Sequence, residues 1–123
     1  MPLFNNGRAA LAQASSERVR ADAQRRVTAL EVDQAIARAQ ADAANAATTA
    51  ATASGPALRA SEEAARIARI GYREGKFGQL ELLDAERTLS ETRRAAIDAL
   101  LNYHSALAQL ERLTVRAPDL QGN

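Results

Sequence analysis

Two glycines, three residues apart, separate two helical sequence patterns and determine where the chain reverses direction. The first pattern ends at Gly75, and the second begins directly after Gly78. Glycine has no Cβ, so Gly75 can adopt the left-handed conformation that commonly ends a helix. Gly78 can serve as the N-cap of the next helix, with Glu81 in the first turn, where a carboxylate meets the positive end of the helix dipole. The sequence therefore predicts a tight helical hairpin with its turn at residues 75–78.

The segment after the turn carries apolar and small residues at the first and fourth positions of a seven-residue repeat. The repeat is sustained for about four and a half heptads, which is typical of a helix packed in a coiled coil. It predicts a second helix over about residues 79–114. The two series of the repeat are Leu82, Leu89, Ala96, Tyr103 and Leu110, and Ala85, Thr92, Ala99, Ala106 and Leu113.

Residues 8–74 favour one long first helix with a single break at Ser54, Gly55 and Pro56. Proline fits the first turn of a helix better than its interior, so we expect a kink or a short restart near residues 54–56. At 1.5 Å per residue, the first helix would be roughly 100 Å long and the second roughly 54 Å. The first part of helix 1 would then lack a partner within the chain, and such a helix is marginal in water. We expect the chain to oligomerise or to be part of something larger.

Composition agrees with an all-α fold of long, closely packed helices. The chain has 16 basic and 15 acidic residues, two Phe, two Tyr and no cysteine. The interleaved, nearly balanced charges argue against a nucleic-acid partner. The absence of cysteine excludes disulfides and thiolate metal sites.

No motif in the sequence predicts an enzyme, a metal site or a cofactor. The single histidine, His104, has only Leu and Ala at the positions three and four residues away, so we interpret it as structural. Residues 1–7 are too short and too polar for a secretory signal, and no apolar run is long enough to span a bilayer.

Four segments carry a family resemblance. The most specific are residues 71–75 (Gly-Tyr-Arg-Glu-Gly) and 82–89 (Leu-Leu-Asp-Ala-Glu-Arg-Thr-Leu), on either side of the turn. Residues 2–8 (Pro-Leu-Phe-Asn-Asn-Gly-Arg) and 102–113, near the two ends, match more loosely. Together they resemble the last quarter to third of the TolC-like outer membrane factors, especially the heavy-metal branch of the CzcC and CusC type.

The resemblance implies a trimeric channel in the outer membrane and periplasm that works with a periplasmic adaptor protein and, through it, an inner-membrane pump. It makes residues 1–7 a remnant of a strand-to-helix junction, residues 8–116 a periplasmic hairpin and residues 117–123 a flexible tail. The implied partner-binding residues at the hairpin tip are Gly75, Lys76, Phe77 and Gly78. The implied residues of the channel aperture are Tyr72, Glu81 and Asp84.

Alternatives remain open at each of these places. Glu81 and Asp84 lie on one helix face, and the simpler interpretation is that both only complement the helix dipole. Tyr72 could equally be an ordinary packing residue, and Phe77, which we expect to be exposed, could insert into an apolar groove of a partner. For the whole chain, the alternatives are a free-standing coiled-coil binding module, like the arm of a periplasmic adaptor protein, or a generic coiled coil.

Overall fold

The fold is a pair of long helices packed antiparallel. A computed structural model describes residues 2–116, with side chains for residues 6–115. Helix α1 spans Pro2–Thr52, a π-helical turn spans Ala53–Ala57, helix α2 spans Leu58–Arg73 and helix α3 spans Gln79–Arg116. Residues 2–116 contain no strand. The predicted all-α hairpin, with its turn between residues 74 and 79, is confirmed.

The chain divides into two compact units, Met1–Ala37 and Arg38–Asn123. In the first unit α1 is a single helix, and every residue from 6 to 31 is exposed. The helix begins at Pro2, earlier than the predicted residue 8. Proline is favoured in the first turn of a helix, because its fixed φ suits the helix and its missing N–H would have no partner there.

The second unit contains the hairpin, and its core is a narrow seam of small residues. All ten positions of the predicted heptad series in α3 are buried or half-buried. Among residues 6–115, Leu89 is the largest fully buried side chain, with 2% of its surface exposed. Burial of one leucine stabilises a fold by about 1.5–3 kcal/mol. The buried residues of α2 are Ser61, Ala65, Ala68 and Gly71.

Small residues at this seam let the two helices approach closely. The last part of α1 continues the seam with Ala39, Ala43 and Ala50, each at most 6% exposed. Close approach of the helices adds dispersion contacts between backbones to the packing of the larger side chains such as Leu89.

The predicted break near residues 54–56 takes the form of a π-helical turn. The helix continues through this turn and does not restart with a new N-cap. Pro56 lies inside this turn. Proline has no N–H and cannot donate the usual helical hydrogen bond, so a wider turn accommodates it. The Ser54 hydroxyl donates to the Ala50 carbonyl at 2.6 Å, and the Leu58 N–H donates to the Gly55 carbonyl.

The π turn adds one residue without changing the face of the helix that is covered. Before the turn, covered positions follow steps of three and four residues and reach Ala53. Beyond the half-buried Gly55 inside the turn, they resume at Leu58, five residues after Ala53, and continue through Ser61 and Ala65. A π bulge is a single extra residue within an α-helix. The same face of the helix thus remains directed toward the seam on both sides of Pro56.

Helix α3 ends at Arg116, two residues beyond the predicted end. The predicted flexible tail, residues 117–123, lies outside the described residues.

Candidate functional site

The end of α2 is closed by backbone hydrogen bonds from the residues of the turn. Gly75 has φ of 72°, the left-handed conformation predicted for it. The Gly75 N–H donates to the Tyr72 carbonyl at 3.1 Å, and the Lys76 N–H donates to the Gly71 carbonyl at 2.7 Å. These two bonds define a Schellman motif, which satisfies carbonyls that the helix end would otherwise leave unpaired. The turn is therefore an ordered structure with a fixed geometry.

The beginning of α3 is capped from within its own first turn. Glu81 accepts a hydrogen bond from the Gly78 N–H at 2.7 Å, and the Gly78 carbonyl accepts from the Leu82 N–H at 3.3 Å. Gly78 is thus the N-cap residue, as predicted, and Glu81 supplies the side-chain half of a capping box. This hydrogen bond engages one oxygen of the Glu81 carboxylate.

Phe77 is exposed, as predicted, but its ring also packs on its own hairpin. Its ring folds back over Gly71 in the last turn of α2, although 39% of the residue's surface remains exposed. A Cβ added to Gly71 would lie 2.6 Å from Cε2 and 2.9 Å from Cγ of the ring, closer than such atoms approach each other. The ring can occupy this place because residue 71 has no side chain.

The Phe77 ring also borders a shallow apolar groove beside the turn. The groove is lined by Ala64, Ile67 and Ala68 of α2, by Phe77 and by Glu81 of α3. Phe77 thus forms part of the surface of its own hairpin while it remains exposed.

The other predicted tip and aperture residues are exposed. The Lys76 ammonium lies 2.9 Å from a carboxylate oxygen of Glu74, and this pair is at the surface. Tyr72 is 45% exposed. Asp84 is exposed and forms no ion pair with any residue from 6 to 115. Of the two tip acids, Glu81 is therefore engaged in capping, whereas the carboxylate of Asp84 faces solvent.

An ion pair that the sequence analysis did not single out joins the two helices near the turn. Arg69 of α2 donates through Nε and Nη2 to the carboxylate of Glu86 in α3, with the Nη2–Oε2 distance at 2.9 Å. A second, longer pair joins Glu62 and Arg93 at 4.0 Å. In the sequence, Glu86 and Arg93 each directly follow a residue of the heptad series. Charged residues at such positions commonly pair across a coiled coil, so this spacing could have predicted the ion pairs.

The Arg69–Glu86 pair also changes the acidity of its carboxylate. Hydrogen bonds from Arg69 hold the pKa of Glu86 below its usual value, with the nearby positive charges of Arg69 and Arg93 acting in the same direction. The same hydrogen bonds raise the pKa of Arg69. Arg66 likewise lowers the pKa of Glu63, but both residues belong to α2.

Two further properties of residues 2–116 bear on function. No helix in this range combines the length and apolar content needed to cross a membrane. The same range has no group of three His, Cys, Asp or Glu side chains arranged to hold a metal ion.

Comparison with known proteins gives the class to which this hairpin belongs. A family model described as outer membrane efflux protein matches residues 1–115. The chain belongs to this family of TolC-like outer membrane efflux proteins, whose members are transport channels and not enzymes.

The chain also resembles a curated protein in sequence. Over 59 residues, the chain is 36% identical to the cobalt-zinc-cadmium resistance protein CzcC of Cupriavidus metallidurans. The match covers 48% of this chain and 14% of that protein. The chain therefore matches only a small part of that relative's length. No solved structure matches it significantly.

Proposed function

We propose that this chain forms a periplasmic tunnel segment of a trimeric outer membrane efflux channel, which works with a periplasmic adaptor protein and, through it, an inner-membrane pump of the proton-driven type. The family match over residues 1–115 carries this proposal. In this role the hairpin tip, residues 75–78, faces the adaptor, and Tyr72, Glu81 and Asp84 lie at the periplasmic aperture. The similarity to a cobalt-zinc-cadmium resistance protein favours metal ions as the exported substrate class.

The exposed surface of the hairpin supports a role within a larger helical assembly. Ile67, Leu83, Ile97 and Leu101 are 48–60% exposed, although each is a large apolar residue. Such side chains on the outside of a two-helix hairpin are suited to contacts with further helices. A tunnel wall, in which each helix has neighbours on both sides, would cover them. The family match favours this role over a free-standing binding module like an adaptor arm.

The tip acids provide the most direct test of the channel role. Three copies of Asp84 around an aperture would form a ring of carboxylates, which concentrates cations in a narrow mouth. In a complete trimer that carries these residues, we expect Asp84→Asn to reduce the preference for cations, measured as a reversal potential across a planar bilayer. Glu81→Gln should have a smaller effect, because one Glu81 oxygen is engaged with Gly78.

Asp98→Asn is the matched control for this experiment. Asp98 is an exposed residue of α3, two heptads along the helix from Asp84 and therefore on the same face. It carries the same charge and should leave the reversal potential unchanged. If both tip substitutions leave selectivity and conductance unaltered, the acids act only on the start of α3, through the helix dipole and the Glu81 cap, and the aperture role is wrong.

A further inference from the structure

We propose that Phe77 is an internal positioning residue of the turn, and that Gly71 is the site it binds. The observation that carries this proposal is the place of the ring directly over the α-carbon of Gly71. Phe77 would then act on any partner of the tip through the conformation of the turn, and not by inserting its ring into that partner. The contact lies within the hairpin, so this inference does not rest on the proposed channel role.

Gly71 is joined to the turn in three ways. Its carbonyl accepts hydrogen bonds from the Lys76 N–H at 2.7 Å and from the Phe77 N–H at 3.1 Å. Its α-carbon lies beneath the Phe77 ring, and it is buried even though it has no side chain of its own. The ring therefore covers the same residue that holds the backbone of the turn.

With the ring on Gly71, we expect these hydrogen bonds to be shielded from water. Amides exchange with solvent when local opening exposes them, so a covering apolar group slows exchange at the bonds beneath it. The turn contains an internal reference, because the Glu74 N–H donates to the Ile70 carbonyl at 3.0 Å, one residue before Gly71. Loss of the ring should thus speed exchange at Lys76 and Phe77 more than at Glu74.

Glycine inside a helix is otherwise unfavourable, and this gives the proposal a distinctive test. Alanine is the better helix former at an unconstrained position, so Gly→Ala normally stabilises a helix interior. Gly71 has an ordinary helical φ, since Gly75 is the only glycine of the described chain with a positive φ. Any cost of Gly71→Ala should therefore come from the ring of Phe77 and not from the backbone.

The experiment is a double-mutant cycle on the 123-residue chain, followed by thermal unfolding in circular dichroism. We expect Gly71→Ala to lower Tm when Phe77 is present and to raise Tm in the Phe77→Ala background. Gly55→Ala is the control, since its added Cβ would meet nothing nearer than Arg59 Nη2 at 4.0 Å. Its effect should have the same sign in both backgrounds. Equal effects of Gly71→Ala in both backgrounds would overturn the proposal.

Amide hydrogen exchange gives a second, local readout, because comparison with the Glu74 amide cancels a change in global stability. Phe77→Ala should speed exchange at the amides of positions 76 and 77 by about tenfold or more relative to the amide of Glu74. Phe77→Tyr keeps the ring and should restore slow exchange. If Phe77→Ala leaves these amides as protected as in the natural chain, the ring does not hold the turn.

Discussion

Arg69 and Glu86 join the two helices of the hairpin by a two-point hydrogen-bonded ion pair close to the turn. Bidentate arginine–carboxylate geometry fixes orientation as well as distance, so this pair forms only in a register that places Arg69 opposite Glu86.

This pair predicts a specific pH dependence of stability. The pKa of Glu86 is lowered in the folded chain, so its stabilising contribution is present above the ordinary glutamate range and is lost as pH falls through the folded value. We expect Tm to fall on acidification from about pH 5, and to fall less in Glu86→Gln. Glu91→Gln, which removes an exposed carboxylate of α3 that forms no ion pair with any residue from 6 to 115, serves as the control for charge removal.

A double-mutant cycle separates this pair from general charge effects. Near neutral pH, Arg69→Gln and Glu86→Gln should each lower Tm, and the second substitution should cost little once the first is made. Fully additive losses would contradict a direct interaction between the two side chains.

The capping role of Glu81 predicts that different substitutions of this residue lower the stability of the hairpin by different amounts. Glu81→Ala removes the acceptor for the Gly78 N–H and the charge near the helix N-terminus, and should destabilise the hairpin by about 0.5–1 kcal/mol. Glu81→Gln keeps an acceptor and should cost less. Urea unfolding measures both changes, with Asp84→Ala as a control that leaves the cap intact. An equal cost for all three variants would argue against the cap.

The π turn predicts that one residue can be removed there without loss of the fold. Deletion of Pro56 should leave a continuous α-helix with Leu58, Ser61 and Ala65 on the same covered face, so Tm should be unchanged or higher. Deletion of Thr49, an exposed residue within regular α-helix, should rotate the following segment by about 100° and lower Tm strongly. Similar losses from both deletions would show that the turn does not accommodate the extra residue.

The exposed apolar residues of the first unit predict that its amides exchange more slowly at higher protein concentration. Residues 6–31 are exposed, and they include Leu11, Val19, Val27 and Leu30, all 46–73% exposed. We expect fast amide exchange over residues 8–30 at low concentration and slower exchange as self-association covers these side chains. Leu30→Gln should weaken the concentration dependence, whereas Arg20→Gln should not. Uniform protection in a chain shown by sedimentation to be monomeric would contradict this prediction.

The parts of the structure that local rules control could be predicted from the sequence. The heptad series identified the covered face of α3, and the roles of Gly75, Gly78 and Glu81 in the turn follow from capping chemistry. The form of the break at Pro56 could not be predicted, because a kink, a restart and a π turn all satisfy the same local constraint on proline. The choice among them is set by contacts along the seam.

The exposure of Phe77 was predicted, but its packing on Gly71 was not. Turn geometry alone leaves residue 77 exposed, and the ring can also pack on the helix because Gly71, six residues earlier, leaves space for it. A glycine inside an otherwise helical pattern often marks a close approach of another group, and this signal was present in the sequence.

The extra residue in the π turn has a consequence for how this chain should be aligned with other sequences. A relative whose helix is regular at this place would have one residue fewer over the same number of turns. A correct alignment would then need a one-residue gap within residues 53–57, in the middle of a helix, where alignment procedures normally penalise gaps. Without that gap, equivalent positions would be offset by one residue on one side of the turn. Each residue of the tip would then be aligned one position away from its true counterpart in the relative. Gly71 would be aligned with a position that faces solvent.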